Sequence, residues 1–294
     1  MTDPNITLPL GLQGHRGARG LFPENTIEGF QAALTLGVTG IELDVGMTAD
    51  GVVVVSHDSR LNPDIVRDAS GAWLLVAGPA LRALTWAELG AFDVGRLRPG
   101  SAYAAQFPHQ QPHDGARIPA LADVLRIAPD ARFTVELKSD PNHPNCTAAP
   151  SVLADATLAV IDAAGAAPRI CLESFDWRGT RHVRRTRPDI QLAWLTRPET
   201  VRDAALWWDG PHPRDFGGSV PRVVAAEGGP IWAPEHLDLT QDLVDEAHAF
   251  GLLVLPWTVN DPDAMRRLHA WGVDGLITDR PDLWQSLHIP GNSR

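Results

Sequence analysis

The chain has 294 residues, 44% of them hydrophobic, which is enough for one large core and is a usual length for a single α/β barrel. A net charge of −11 and a sequence pI of about 5.4 argue against a nucleic-acid binder with a broad basic surface, so an anionic ligand must be met by a local positive site. Two cysteines, Cys146 and Cys171, form no disulfide framework, the opening MTDPNITLPLGLQG has no signal-peptide pattern, and no apolar run of about 18 residues exists, so a cytoplasmic protein is expected.

Leu10 to His15 reads as a first strand, and GARG lets the chain turn after it. Asn25 is expected to cap the next helix, with Glu28 as its capping-box partner. Ile27, Phe30, Ala33 and Leu34 follow at helical spacing, and the helix ends near Gly37. The next strand, IELDV, carries Glu42 and Asp44 two apart, hence on one face. Two buried carboxylates on one face repel each other, and a divalent cation with oxygen ligands resolves that cost. Asp50-Gly51 then separates this strand from VVVV, a tight-hairpin signal. Opposed residues should have numbers summing to about 99 to 101. The returning arm thereby brings His57 beside the acid pair.

Residues 60–117 are irregular and too long for an ordinary connection, which marks a functional loop or a small inserted subdomain. One helix is expected after Thr85 in LTWAEL. His109 and His113 lie in QFPHQQPHD, too proline-rich for a helix, and read as a solvated loop. From Ile118 helices and strands alternate: PALADVLRIA, RFTVELK, an alanine-rich helix over 151–164, RICLES, WRGTRHVRRT, IQLAWL, an irregular stretch with Trp207 and Trp208, PIWAP, LTQDLVDEAHAFG, LLVLPWT, DPDAMRRLHAWG and DGLIT. Such alternation predicts a parallel sheet. Eight of the nine strand-like runs close a barrel if VVVV is only the arm of a rim hairpin. An open doubly wound sheet would want a Gly-rich phosphate turn after a strand, and none is present. In a barrel the working residues sit at the C-terminal ends of strands. His15, Arg16, Glu42, Asp44, Glu136, Lys138 and Trp257 all satisfy that rule.

Three acids, Glu42, Asp44 and Glu136, converging on one point argue for a hard cation, Mg²⁺ or Ca²⁺. No His-x-His or HExxH accompanies them, so a zinc-type site is less favoured. His15 and His57 suit general acid–base work. Arg16 can grip phosphate oxygens and Lys138 can supply a point charge. Ser174 lacks the partners of a nucleophile. Asp279 is expected to cap the helix after the last strand, and His248 and His269 to be solvated on outer helices.

HRGA, PENT and GxxxIELDVxxTxDGxxVVxHD together resemble the opening of the glycerophosphodiester phosphodiesterase family. LTWAEL, IPALADVL, FTVELK, ESFDW, LPWTVN and GVDGLITDRPDL follow in the family's order, so the likeness spans about residues 12 to 284. It implies a (β/α)8 TIM-type barrel that hydrolyses glycerophosphodiesters to glycerol 3-phosphate and an alcohol. It also implies Glu42, Asp44 and Glu136 as ligands of one divalent cation, and 60–117 as an inserted cap over the mouth of a single catalytic barrel. On this reading His15 takes a proton from the attacking hydroxyl and His57 gives one to the leaving oxygen. The sequence leaves those two roles interchangeable, and leaves open whether water or the glycerol's 2-hydroxyl attacks. Trp257 is expected against the glycerol backbone, with Phe175 similar.

Three rivals differ in chemistry. A related barrel acting as a phospholipase D on lysophospholipids or sphingomyelin would share the histidines and acids; the segment with LTWAEL and the lack of an evident apolar docking stretch favour the glycerophosphodiester reading. A catalytically dead phosphate- or headgroup-binding barrel should have lost a histidine or an acid, and none is lost. A metal amidohydrolase would want His-x-His where this chain has His15 followed by Arg16. Expected partners are a small-molecule substrate and, as one possibility, a second copy of the chain; neither nucleic acid nor stable membrane association is expected.

Overall fold

The structure, a computed structural model, describes residues 10–287. Nine strands form: β1 (Gly11–His15), β2 (Gly40–Met47), β3 (Val53–Val55), β4 (Phe133–Leu137), β5 (Ile170–Ser174), β6 (Gln191–Thr196), β7 (Ile231–Pro234), β8 (Leu253–Val254) and β9 (Gly275–Thr278). Eight run parallel in the order β8-β7-β6-β5-β4-β2-β1-β9, and β3 pairs only with β2. The gap between β8 and β9 is bridged by Asp274 N to Val254 O at 3.0 Å and Ile277 N to Pro256 O at 3.0 Å, so the barrel is nearly closed. The expected count of eight barrel strands plus one hairpin arm therefore holds.

The alternation in β2 explains why its sequence looks wrong for a core strand. Ile41, Leu43 and Val45 point outward into a cluster with Phe30, Leu121, Leu153 and Leu172, which fastens the helices to the barrel. Glu42 and Asp44 occupy the opposite, inward face. The hairpin pairs Val45 with Val55 and Met47 with Val53, within the expected register, and Asp44 O accepts from Ser56 N at 2.9 Å.

Beyond β5 the outer layer rests on tryptophans. Trp177 stacks on Trp208 with centroids 4.0 Å apart and meets Trp194 edge-on at 4.9 Å. Inside the barrel, Cys171, Ala193, Leu195, Ile231, Ala233, Leu255 and Ile277 pack together.

One local expectation needs correction. The first helix, Ile27–Thr35, is capped by Thr26, whose Oγ1 accepts from Gly29 N at 3.0 Å; Asn25 and Glu28 do not cap it. The helix expected after Thr85 forms there as a single turn, Trp86–Leu89, fixed by a Thr85–Glu88 capping box. That turn belongs to the 60–117 segment, which has its own small core: Leu61, Ile65, Val66, Leu81, Leu89 and Val94 pack on Val54 of β3 and on Ile118. His109 and His113 are exposed, as expected. Leu75 and Val76, 85% and 73% exposed, form an apolar tip on this segment that the sequence reading did not single out. No helix among the described residues is long and apolar enough to cross a membrane.

Candidate active site

The site begins where β1 ends. A Cβ at Gly14 would lie 1.9 Å from Gly17 O, so only glycine lets the chain fold back over itself there. Arg16 adopts a left-handed conformation, φ 51°, and its N–H donates to Glu42 Oε2 at 3.0 Å. Its guanidinium bonds Glu24 Oε1 at 2.8 Å and lies 3.3 Å from Asp44 Oδ2. Asn25, also left-handed at φ 54°, donates from Nδ2 to the same Asp44 oxygen at 2.9 Å. It serves the acid pair from outside, which is why it cannot cap the helix.

Glu42, Asp44 and Glu136 offer carboxylate oxygens that all lie within 4.8 Å of one another, and all three residues are buried. Burial drives the Glu42 carboxyl well above its usual range, with Asp44 and Glu173 adding to the push and Arg16 opposing it. Glu136 is raised to about 7, first by burial and then by Asp44, against the pull of Lys138. Burial also works against ionised Asp44, yet Arg16, Lys138 and His57 together hold it well below its ordinary value. Lys138 Nζ donates to Glu136 Oε1 at 2.9 Å and lies 3.6 Å from Asp44 Oδ1. Asp44 Oδ1 itself is fully buried and accepts no hydrogen bond. An orphaned hard oxygen among converging carboxylates is what a divalent cation satisfies, so the donor set fits a metal ion.

The two histidines carry matching supports. His15 Nδ1 meets Asp279 Oδ1 at 2.6 Å, and its Nε2 lies 3.7 Å from Glu42 Oε2. His57 Nδ1 meets Asp58 Oδ1 at 2.8 Å, and Asn62 Nδ2 donates to the other Asp58 oxygen at 2.7 Å. In each case a carboxylate occupies Nδ1, and Nε2 makes no hydrogen bond among the described residues. Burial lowers His15 to about 4 despite Asp279, and lowers His57 as well, with Arg16 and Lys138 reinforcing the effect.

Asp279 therefore does not cap the last helix. The residue before that helix, Arg280, makes no side-chain cap, and Asp279 turns inward to hold His15, Arg19 at 2.9 and 3.0 Å, and Asn260 at 2.7 Å. Arg19 is braced from the inserted segment: Tyr103 bonds both Arg19 and Glu24, Gln110 Nε2 donates to Arg19 O at 2.8 Å, and Phe107 lies under the guanidinium at 4.6 Å.

A cavity of about 390 Å³ brings His15, Arg16, Glu42, His57, Glu136, Lys138 and Trp257 to one surface, with Asp44 buried directly behind it. Phe175 and Trp257 meet edge-to-face at 5.3 Å on its wall. Ser174 points away and donates to Leu137 O at 2.8 Å. Sequence reasoning missed Glu24, Arg19, Asp279 and Glu173. Two of these had a usable signal: Asp279 directly follows β9, and Glu173 alternates inward on β5 as Glu136 does on β4.

Three clustered carboxylates able to hold a cation, two carboxylate-oriented histidines and the cationic Arg16 and Lys138, gathered at the strand ends of a parallel barrel, fit the class of barrel hydrolases of phosphoric esters. The comparisons narrow this: the chain belongs to the glycerophosphoryl diester phosphodiesterase family, whose model matches residues 15–283. It is similar to the glycerophosphodiester phosphodiesterase of Bacillus subtilis (strain 168), 27% identical over 281 residues that cover 93% of this chain and 84% of that protein. A crystal structure from Silicibacter pomeroyi DSS-3, assigned to the same class, is 39% identical with a TM-score of 0.86, covering 97% of this chain and 94% of that one. An Oleispira antarctica phosphodiesterase, its structure solved in complex with the product sn-glycerol-3-phosphate, shares the fold, at 19% identity, a TM-score of 0.69 and coverage of 95% and 96%.

Proposed function

We propose that the protein hydrolyses glycerophosphodiesters to glycerol 3-phosphate and an alcohol, with His15 and His57 as the proton-transfer pair and a divalent cation, Mg²⁺ or Ca²⁺, on Glu42, Asp44 and Glu136. The observation that carries this reading is the pairing of two histidines, each with Nδ1 tied to a carboxylate, on one cavity with the acid triad. Such a tie fixes the tautomer and leaves Nε2 as the working atom. Arg16 and Lys138, set on either side of Asp44, draw the anionic phosphodiester into the acid cluster. The cation, when bound, polarises the phosphoryl oxygens.

His15 is neutral at pH 7 and fit to accept the proton of the attacking hydroxyl. His57, more exposed, gives the leaving alcohol oxygen the Nε2 proton of its imidazolium form, which the Asp58 carboxylate on Nδ1 stabilises. The edge-to-face pair Phe175 and Trp257 receives the carbon backbone of the glycerol. Segment 60–117 serves as an insertion of the one catalytic domain that buttresses the mouth through Tyr103 and Phe107.

The test is release of glycerol 3-phosphate from glycerophosphocholine with Mg²⁺, with Ca²⁺ and with EDTA. Metal-dependent release supports the reading. No release from any glycerophosphodiester, with cation binding intact, would sink it and shift attention to lysophospholipids.

A further inference from the structure

Glu173 is the one buried acid lining the cavity that neither the cation reading nor the histidine pair uses. It is 1% exposed, lines the cavity, and no hydrogen bond or ion pair reaches its carboxylate among the described residues; Oε2 is fully enclosed without a partner. Leaving a buried carboxylate unsatisfied is costly, so donors must come from what fills the cavity. The three oxygens that gather within 4.8 Å come from Glu42, Asp44 and Glu136, not from Glu173. The nearest cationic side chain, Lys138, is already engaged by Glu136 and Asp44.

Its position indicates which donors. On β5, Glu173 stands between Glu136 of β4 and Ala193 of β6, at the seam where the charged wall meets the apolar one. Two residues further toward the mouth on the same face is Phe175, edge-to-face with Trp257. A ligand with its phosphate beside Arg16 and Lys138 and its carbons on Phe175 and Trp257 must run past Glu173. Donors offered there are hydroxyls on those carbons.

We propose that Glu173 is the specificity residue for a polyol phosphate: it bonds a free hydroxyl of the glycerol moiety and so distinguishes glycerophosphodiesters from phosphodiesters without hydroxyls. The inference rests on the function proposed above. It does not depend on protonation, because a carboxylate accepts from a hydroxyl and a carboxyl can also donate to one. A site built around such a contact rejects the analogue that lacks the hydroxyl, since its own polar group is then left unpaired.

The experiment is calorimetric binding of sn-glycerol 3-phosphate and of methyl phosphate to the cation-loaded full chain, for the wild type, Glu173→Leu and Glu173→Gln, with a Mn²⁺ titration of each. In Glu173→Leu the preference for glycerol 3-phosphate over methyl phosphate should fall roughly ten- to hundredfold. Glu173→Gln, whose amide still bonds a hydroxyl, should keep most of it. Retained methyl phosphate binding shows that a variant is folded. Equal weakening of both ligands together with lost Mn²⁺ affinity overturns the proposal and moves Glu173 into the cation site. An unchanged preference in Glu173→Leu overturns it in favour of a packing role. A wild type that shows no preference for glycerol 3-phosphate and releases none from glycerophosphocholine refutes the functional reading itself, a result visible before any variant is made.

Discussion

The barrel interior is two different materials. From β1 through β5 it is charged: His15, Glu42, Asp44, Glu136 and Glu173 face inward. From β6 through β9 it is largely apolar: Ala193, Leu195, Ile231, Ala233, Leu255 and Ile277 interlock, with Gln191 the buried polar exception. The second half is a core that happens to be enclosed by strands, and its energy comes from removing apolar surface from water. The first half costs stability, because it holds acids against one another at low solvation. The lesson is that this fold separates the job of holding the barrel together from the job of using it.

Substitutions can break that division, and the largest effect belongs to the charged half. His15→Ala or His57→Ala should each lower kcat by about 10²–10⁴-fold in glycerol 3-phosphate release, while thermal unfolding shifts little. A large loss of melting temperature in both variants would show that the histidines belong to the core after all. The apolar half should behave in the opposite way. Leu255, fully buried and outside the cavity, should cost about 2–5 kcal/mol when changed to Ala, read as a lower Tm with KM nearly intact.

A cation tests the charged half alone. At about 100 times its Kd, Mg²⁺ or Ca²⁺ should stabilise the fold by roughly 2.7 kcal/mol, read as a Tm rise of about 4 °C, and Asp44→Asn should abolish the rise. The smallest effect is a pH slope in EDTA. Folded Glu136 holds its proton up to about 7, against an ordinary value of 4.5. The folded state therefore binds more protons across that window, so this contribution is full below 4.5 and is lost as pH rises toward 7. Glu136→Gln should flatten the decline by up to about 1 kcal/mol per pH unit, measured as Tm against pH.

What the sequence revealed follows the same division. IELDV and FTVEL put acids where alternation demands a core, and that local conflict exposed the acid cluster without any long-range information. The hairpin was equally local, so Val45 opposite Val55 could be anticipated. The supports of the site were harder to read. Asn25 and Asp279 are residue types that cap helices, and each stands one or two places before one; only the folded chain shows that Asn25 serves Asp44 and that Asp279 serves His15. Glu173 was overlooked because RICLES is short and reads as one more core strand.

The bond between His15 and Asp279 joins residues 264 positions apart, at the first and last strands of the barrel. The His15 ring, proposed above to take the proton, is thus oriented by a residue made after all nine strands. A nascent or partly refolded barrel can hold its acid cluster and hairpin and still be silent. Turnover then becomes a clock for ring closure: in refolding experiments activity should lag behind the recovery of secondary structure, and appear when β9 docks against β1.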